Sequence, residues 1–215
     1  MKLYAARSVR PLIFLLLASL FTLVGSIDPA AGAQAGGALP SQALGLPTTT
    51  LPAFSLDGHV LNLAARPGWR VIYFWSATCP CVRACERYTF VPLARKYKGL
   101  VSFYAVAADR FDLDMPRAQI QSSIAARHLP FPVLLDPQHK VAQTLGAVIT
   151  PQAFLLDPQG RVVFSGIPDD SRRYLNRTGQ LGVTRSYLGQ ALCEALAGKP
   201  VTQPQIKDEG CMIAW

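Results

Sequence analysis

The sequence predicts an α/β fold in which helices flank a central mixed sheet and a hairpin precedes the sheet at the N-terminal side. Two apolar runs, "RVIYFW" (70–75) and "LVSFYAVAA" (100–108), are typical of strands buried on both faces. A helical pattern separates them, and strands joined through helices pair in parallel. Two pairs of apolar segments joined by short turns add antiparallel hairpins, so the sheet is mixed.

The elements follow from local patterns in chain order. "LPAFSLDGHVLNL" (51–63) alternates apolar and polar residues around Asp57-Gly58, as a hairpin does. Between residues 82 and 97 apolar residues recur every three to four positions, which predicts a helix kinked at Pro92. The remaining elements are a helix over 112–129 capped by Asp114, a strand at 131–137, a short helix at 139–146, a hairpin over 147–166 and a helix over 184–200 capped by Thr184.

The first 33 residues predict a secretory signal peptide. Basic residues precede an apolar run from 12 to 24, small residues follow it, and the best cleavage site lies after Ala33. The run is shorter than the roughly 20 residues that span a bilayer comfortably. We therefore expect an exported, periplasmic protein, and an uncleaved N-terminal segment that anchors it to the membrane is the alternative.

The rest of the chain divides into three predicted parts. Residues 34–47 predict a flexible lead-in, residues 48–200 a single domain, and residues 201–215 a tail that carries Cys211. The net charge is +8, but the basic residues are scattered along the sequence. This distribution is typical of a solvated surface and argues against a nucleic-acid partner.

Three of the five cysteines, Cys79, Cys81 and Cys85, lie within seven residues where a predicted strand runs into a helix. Chemistry in open α/β sheets sits beyond such strand ends. The N-terminus of a helix favours the nucleophilic thiolate, and Cys79 is best placed for this effect. In exported proteins cysteines usually pair, and an odd number leaves at least one unpaired. Buried, inert cysteines are the alternative interpretation.

Two segments around this cluster resemble thioredoxin-like proteins. "VIYFWSATCPC" (71–81) resembles their active-site strand, which leads into the nucleophilic cysteine. "LGAVITPQAFLLDPQGRVVFSG" (145–166) resembles the segment that carries a Thr-cis-Pro pair facing that cysteine. The resemblance implies a thioredoxin-like fold over residues 48–200, with Thr150 and Pro151 as the pair that faces Cys79.

The C-terminal part is similar to exported redoxin-domain proteins of the alkyl hydroperoxide reductase and thiol-specific antioxidant superfamily. The similar segments are "GIPDDS" (166–171), "TRSYLGQALCEALAGKPV" (184–201) and "GCMI" (210–213). This resemblance implies that Cys79-Pro80 is the nucleophile segment and that Cys211 is a second functional cysteine. It also implies protein or small-molecule disulfides as substrates, a thiol electron donor, and no cofactor.

The cysteine motif departs from both well-known subtypes. Val82 stands where a Cys-x-x-Cys motif has its second cysteine, and Ile72 or Phe74 stands where a peroxiredoxin motif has its proline. We therefore expect a thiol–disulfide oxidoreductase that uses Cys79, with a thiol peroxidase of antioxidant activity as the alternative.

The sequence leaves the partner of Cys79 open. Cys81 would close a strained ring that is easily reduced. Cys85 lies too far into the helix for easy pairing, and Cys211 is within reach on a tail without a clear pattern. We expect Cys211 to resolve the mixed disulfide, although an exposed, incidental cysteine on a disordered tail is the alternative. Cys193, between apolar residues of the last helix, is expected to be a core residue.

A thiolate metal site for Cu(I) or zinc is a further alternative, with ligands drawn from Cys79, Cys81, Cys85 and Cys211. The three histidines are expected at the surface and give this hypothesis no clear support. Glu86 could accept a proton near the thiols, but its position is more typical of a solvated helix face.

Overall fold

The computed structural model describes Gly45 and residues 48–171, 183–207 and 209–215. The predicted signal peptide and nearly all of the predicted lead-in lie outside the described residues. The strands are β1 (Pro52–Phe54), β2 (Val60–Asn62), β3 (Trp69–Trp75), β4 (Val101–Ala107), β5 (Val133–Leu135), β6 (Ile149–Thr150), β7 (Ala153–Leu156), β8 (Val162–Gly166) and β9 (Cys211–Met212). The helices are α1 (Pro80–Cys85), α2 (Val91–Lys96), α3 (Arg110–Leu113), α4 (Arg117–Ala126), α5 (Lys140–Leu145) and α6 (Tyr187–Leu196).

Seven of these strands form one mixed sheet in the order β2-β1-β5-β4-β3-β7-β8. The central strands β3, β4 and β5 are parallel, as strands joined through helices must be. The hairpin β1–β2 joins antiparallel at one edge and the hairpin β7–β8 at the other. The predicted fold class, with its N-terminal hairpin, is confirmed. Strands β6 and β9 form a separate antiparallel pair.

Strand β3 is buried on both faces, because one hydrophobic core packs on each side of it. Val71, Tyr73 and Trp75 face a core that includes residues of α1, α4 and α6. Ile72 and Phe74 face a second core that includes residues of α5. Successive side chains of a strand point to opposite faces, so a continuous apolar run is what this position requires.

The helix that follows β3 differs from the prediction. Instead of a kink at Pro92, a π-helical segment (Glu86–Phe90) joins α1 to α2, and Pro92 lies in the first turn of α2. A proline has no N–H to donate and is tolerated in a first turn. The departure from regular α-helix therefore lies in the π-helical segment, before Pro92.

The predicted helix over 112–129 is two helices. Asp109, and not Asp114, caps the first of them, because its carboxylate accepts a hydrogen bond from the backbone N–H of Phe111 at 2.9 Å. Pro116 occupies the cap position of α4 and separates it from α3. Within the described residues no helix has the length and apolar character needed to cross a membrane.

Two predictions for the last helix are wrong. The cap of α6 is Ser186, which accepts from the N–H of Gly189, whereas Thr184 donates to the carboxylate of Asp170. Cys193 is exposed and not part of the core, because α6 buries the face that carries Leu188, Ala191, Leu192 and Ala195.

Candidate active site

The first cysteine of the cluster lies at the carboxyl end of the central strand. After β3 ends at Trp75, residues 76–78 form a short loop, and Cys79 is the cap residue of α1 with Pro80 in the first turn. The Cys79 backbone is extended (φ −70°, ψ 119°), and its side chain makes no capping hydrogen bond. Only 5% of Cys79 is exposed. The Sγ atom is therefore not used to cap α1 and is available to other partners.

The C-terminal tail reaches the same place as a strand. β9 pairs with β6 so that Cys211 lies opposite Thr150 and Met212 opposite Ile149. Gly210 makes the approach possible, because a Cβ atom there would lie 2.6 Å from the carbonyl oxygen of Thr150. The tail shows no clear pattern in the sequence because its strand is only two residues long and pairs with residues 61 to 63 positions earlier in the chain.

The tail is also held after Cys211. Ile213 is buried in the second core. The backbone N–H of Ala214 donates to the carboxylate of Asp109 at 2.9 Å, and the N–H of Arg110 donates to the carbonyl of Ala214 at 2.8 Å. Cys211 is therefore fixed on both sides, and its thiol position is a property of the fold.

Three thiols meet at this point. The Sγ atoms of Cys79 and Cys211 are 2.9 Å apart, and with Cys81 all three sulfur atoms lie within 4.8 Å of one another. None of the three is part of a disulfide in this structure. The Thr150–Pro151 peptide bond is cis, and the carbonyl oxygen of Thr150 is 3.8 Å from the Cys79 Sγ. The structure thus brings together the five residues that the sequence analysis singled out.

The thiol of Cys211 has a strongly raised pKa. Burial above all, together with the hydrogen bond and the charge of Cys79, raises the pKa of Cys211 to about 12. A thiol with such a pKa keeps its proton at neutral pH. Cys211 can therefore donate a hydrogen bond to the Sγ of Cys79.

Cys85 lies outside the three-thiol cluster. Its Sγ is 3.6 Å from Oδ1 of Asp169 and 3.5 Å from the hydroxyl of Ser171. Burial, reinforced by the carboxylate of Asp169, raises the pKa of Cys85 well above its usual value. Asp169 also accepts a hydrogen bond from Thr89. This thiol is therefore a structural link between the end of α1 and the chain after β8, and not a reactive group.

A buried carboxylate, Glu86, lies beneath the cysteine loop, and the prediction of a solvated helix face for it is wrong. Glu86 is 3% exposed and accepts hydrogen bonds from Trp75 Nε1 at 2.7 Å, Tyr73 Oη at 3.2 Å and Arg127 Nη1 at 3.1 Å. Burial raises the pKa of Glu86, and Arg127 opposes that rise. Glu86 follows the core residue Val82 by four positions, and this spacing was the signal that could have placed it inside.

Arg127 connects this carboxylate to the loop before Cys79. Its guanidinium donates to the carbonyl oxygens of Ser76 and Ala77 and lies 5.3 Å from the ring centre of Trp75. From the other side, Asp112 accepts from the N–H of Ala77 at 2.8 Å. The loop is therefore held at both its carbonyl and its amide groups, which fixes the entry into α1.

A groove of about 630 Å³ lies beside Pro80. Its lining combines apolar residues and Tyr88 with the acidic Glu86 and five basic residues, which are Arg83, Arg87, Arg95, Arg127 and His128. Among the described residues, Arg127 is the one of these that forms an ion pair, with Glu86. The groove therefore presents net positive charge next to the cysteine loop.

Several known proteins are similar to this chain over part of its length. The chain is 28% identical over 130 residues to a thiol:disulfide interchange protein DsbE homolog of Paracoccus denitrificans, which is 59% of this chain and 67% of that protein. It is 29% identical over 122 residues to the thiol-disulfide oxidoreductase ResA of Bacillus thuringiensis, which is 56% and 67% of the two chains. A crystal structure of a hypothetical protein from Sinorhizobium meliloti is 27% identical, covers 80% of this chain and 94% of its own, and superimposes with a TM-score of 0.69.

A family model identifies the domain. The model named Redoxin matches residues 40–180, about two thirds of the chain. The matched range includes the hairpin, the cysteine loop and the cis peptide bond of Thr150–Pro151, whereas Cys211 lies beyond it. By this match, and by the fold and the site that the matched residues build, the chain belongs to the Redoxin family.

Proposed function

We propose that Cys79 is the nucleophile and Cys211 the resolving thiol of this redoxin. The protein is a thiol–disulfide oxidoreductase, so its substrates are disulfides and its redox partners are thiols. The observation that carries the assignment of the pair is the 2.9 Å distance between the two sulfur atoms. Neither atom needs more than a small side-chain movement to form a disulfide.

In the first step, the thiolate of Cys79 attacks one sulfur of a substrate disulfide. A bond forms between the Cys79 Sγ and that sulfur, the substrate S–S bond breaks, and the other substrate sulfur leaves as a thiolate. The proton of Cys211 stays in place during this step because its pKa is about 12. Cys211 therefore stabilises the attacking thiolate by donating a hydrogen bond and does not compete with it.

In the second step, Cys211 attacks the Cys79 Sγ and releases the second substrate thiol. Once Cys79 is part of a mixed disulfide it carries no charge, so its contribution to the raised pKa of Cys211 is lost. The proton of Cys211 leaves with the departing substrate sulfur. The substrate gains two electrons, and the protein is left with a Cys79–Cys211 disulfide that a thiol donor reduces again.

Thr150 and Pro151 act as positioning residues in this proposal. Thr150 pairs with Cys211 through the strand, and its carbonyl oxygen faces the Cys79 Sγ at 3.8 Å. One residue thus sets the distance between the two thiols. Because β9 occupies the edge of β6, the substrate disulfide approaches Cys79 from another side. The groove with basic residues includes Pro80, the residue that follows Cys79, and is the surface proposed for this approach.

The proposed location is outside the cytoplasm, in the periplasm. The order of basic, apolar and small residues within 1–33 supports it. Contact with a membrane would come through this segment if it is not cleaved. The mass of the protein recovered from the cell envelope decides between a cleaved peptide and a retained anchor.

The proposed pair is tested by peptide mapping of the oxidised protein and by an insulin-reduction assay. We expect a Cys79–Cys211 disulfide, complete loss of activity in Cys79→Ser, and accumulation of a mixed disulfide in Cys211→Ser. Cys193→Ser is the matched control, since this thiol is exposed and outside the site, and it keeps the activity of the parent. An oxidised, active protein in which Cys211 is free would contradict the proposal, as would a Cys79–Cys81 disulfide.

A further inference from the structure

We propose that the thiolates of Cys79, Cys81 and Cys211 together form a three-coordinate Cu(I) site in the reduced protein. The exchange reaction described above needs two of these thiols and leaves Cys81 without a part. The three sulfur atoms nevertheless lie within 4.8 Å of one another. The metal site uses the cysteines of the redox pair but does not depend on their exchanging disulfides, so it can be tested separately.

The spacing of the sulfur atoms suits a single ion at their centre. With metal–sulfur bonds of about 2.3 Å, as in zinc thiolate sites, three sulfur atoms around a trigonal ion lie about 4.0 Å from one another. The cluster spans this value, since one pair is 2.9 Å apart and none exceeds 4.8 Å. Adjustments of about 1 Å, within reach of rotations about the Cα–Cβ bonds, convert the cluster into a trigonal site.

The number and type of ligands select the metal. Thiolates are soft ligands and favour Cu(I), zinc and iron–sulfur clusters, and structural zinc sites take four ligands in a tetrahedron. Among the described residues, no histidine or carboxylate joins the three sulfur atoms. The next cysteine along the helix, Cys85, is bound to Asp169 and Ser171. Three sulfur ligands and no fourth are what Cu(I) accepts and a structural zinc ion does not.

The charge and the redox state of the site are also consistent with a bound Cu(I) ion. Binding displaces the protons that remain on the three sulfur atoms to the solvent and puts one monovalent cation in their place. The copper stays Cu(I) throughout, so no oxidant is consumed. The basic surface around the cysteine loop, with Arg83 at the groove, offsets the negative charge that remains. Formation of the Cys79–Cys211 disulfide removes two ligands. Copper binding and the oxidised state of the protein therefore exclude each other.

Access to the site comes through the tail. Cys79 and Cys81 are buried, but Cys211 is half-buried and its neighbour Met212 is 81% exposed. An ion delivered to this surface meets Cys211 first. Strand β9 thus supplies the third ligand, Cys211, and also the route by which an ion reaches the site.

The test is anaerobic titration of the reduced protein with Cu(I) in competition with bicinchoninate, a coloured Cu(I) chelator. We expect one Cu(I) per chain, an X-ray absorption spectrum with three sulfur neighbours, and at least tenfold weaker binding in Cys81→Ser. Cys193→Ser is the control and binds as the parent does. The parent oxidised to the disulfide form is expected to lose the site.

Three outcomes would overturn the copper site. They are no binding by the reduced parent, a spectrum with only two sulfur neighbours, and a Cys81→Ser protein whose affinity is within twofold of the parent. Preference for Zn²⁺ over Cu(I) in a direct competition would overturn the choice of metal. The spectrum of the parent decides the ligand number even if Cys81→Ser does not fold. Formation of the Cys79–Cys211 disulfide in Cys81→Ser shows that the remaining site is intact.

Discussion

Replacing Arg127 by methionine tests the buried network beneath the cysteine loop. Methionine keeps much of the length of the side chain but removes the charge and the donors. The change leaves the Glu86 carboxylate, 3% exposed, without its cation, and frees the carbonyl oxygens of Ser76 and Ala77. We expect a loss of stability that is large for a single substitution.

The magnitude follows from burial. The side chain of Arg127 is 10% exposed and that of Glu86 is 3% exposed, so this ion pair is not a surface pair. Removing one partner of a buried pair costs about 3–5 kcal/mol in the free energy of unfolding, because the other charge stays in an apolar environment. In a Glu86→Gln background that charge is absent, and the same substitution should cost about 1–3 kcal/mol less.

The cost of Arg127→Met should also depend on pH. The pKa of Glu86 in the folded protein is raised above the value of an unfolded chain, so between these two values the folded state binds more protons than the unfolded state. Stability from this group therefore falls as pH rises through that window. Without Arg127, which lowers this pKa, the window extends upward. Arg127→Met should accordingly be more damaging at pH 7.5 than at pH 5.

Urea denaturation of the four proteins of this cycle, at both pH values, measures these effects. Arg117→Met is the matched control, because Arg117 is exposed at the start of the same helix and should change stability by less than about 0.5 kcal/mol. The reasoning is refuted if Arg127→Met costs less than about 1 kcal/mol at pH 7.5. It is also refuted if the cost is the same with glutamine at position 86.

Four further outcomes are expected. Iodoacetamide should modify Cys193 in the native protein and Cys85 only after unfolding, which mass spectrometry of digests reports; modification in the reverse order would contradict the burial of these thiols. Asp169→Ala should lower the free energy of unfolding by at least about 2 kcal/mol in urea titrations, because it strands buried donors. Stopped-flow mixing with hydrogen peroxide should show slow oxidation, since the peroxiredoxin proline is absent; a fast reaction would favour a peroxidase. Glutathione disulfide should be reduced faster than the cationic disulfide cystamine, and Arg83→Glu with Arg87→Glu should remove the preference, if the basic groove receives the substrate.

The fold was predictable because its signals are local. The apolar run of β3, the turn at Asp57-Gly58 and the helical spacing after residue 82 each lie within one segment of sequence. Their order then restricts the topology to a mixed sheet with parallel central strands, and the structure has that sheet. Errors occurred where two local signals compete, as at Pro116, where an apolar spacing continues across a residue that begins a new helix.

The site was predictable only in its cysteines and its Thr-Pro pair. Residue type alone marks a thiol as chemically special, but it does not show which charged residues are buried. Glu86 and Arg127 are 41 positions apart in sequence, and each becomes interpretable only when the other is placed beside it. Similarly, two residues of β9 carry too little pattern to predict a strand. Contacts of long sequence separation are what the structure adds.

The distance along the chain between the paired thiols links redox state to folding. Cys79 and Cys211 are 132 residues apart, so a disulfide between them closes nearly the whole domain into one loop. In the chain-entropy description, a loop of this length stabilises the folded state by about 5 kcal/mol. Folding and disulfide formation are linked in one thermodynamic cycle, so folding stabilises the disulfide by the same amount. This corresponds to a reduction potential about 110 mV lower than in the unfolded chain. In the proposed mechanism the docked tail therefore does more than bring a second thiol close. By fixing Cys211 opposite Thr150, it would make the oxidised form a favourable end state for a protein that gives electrons to its substrate.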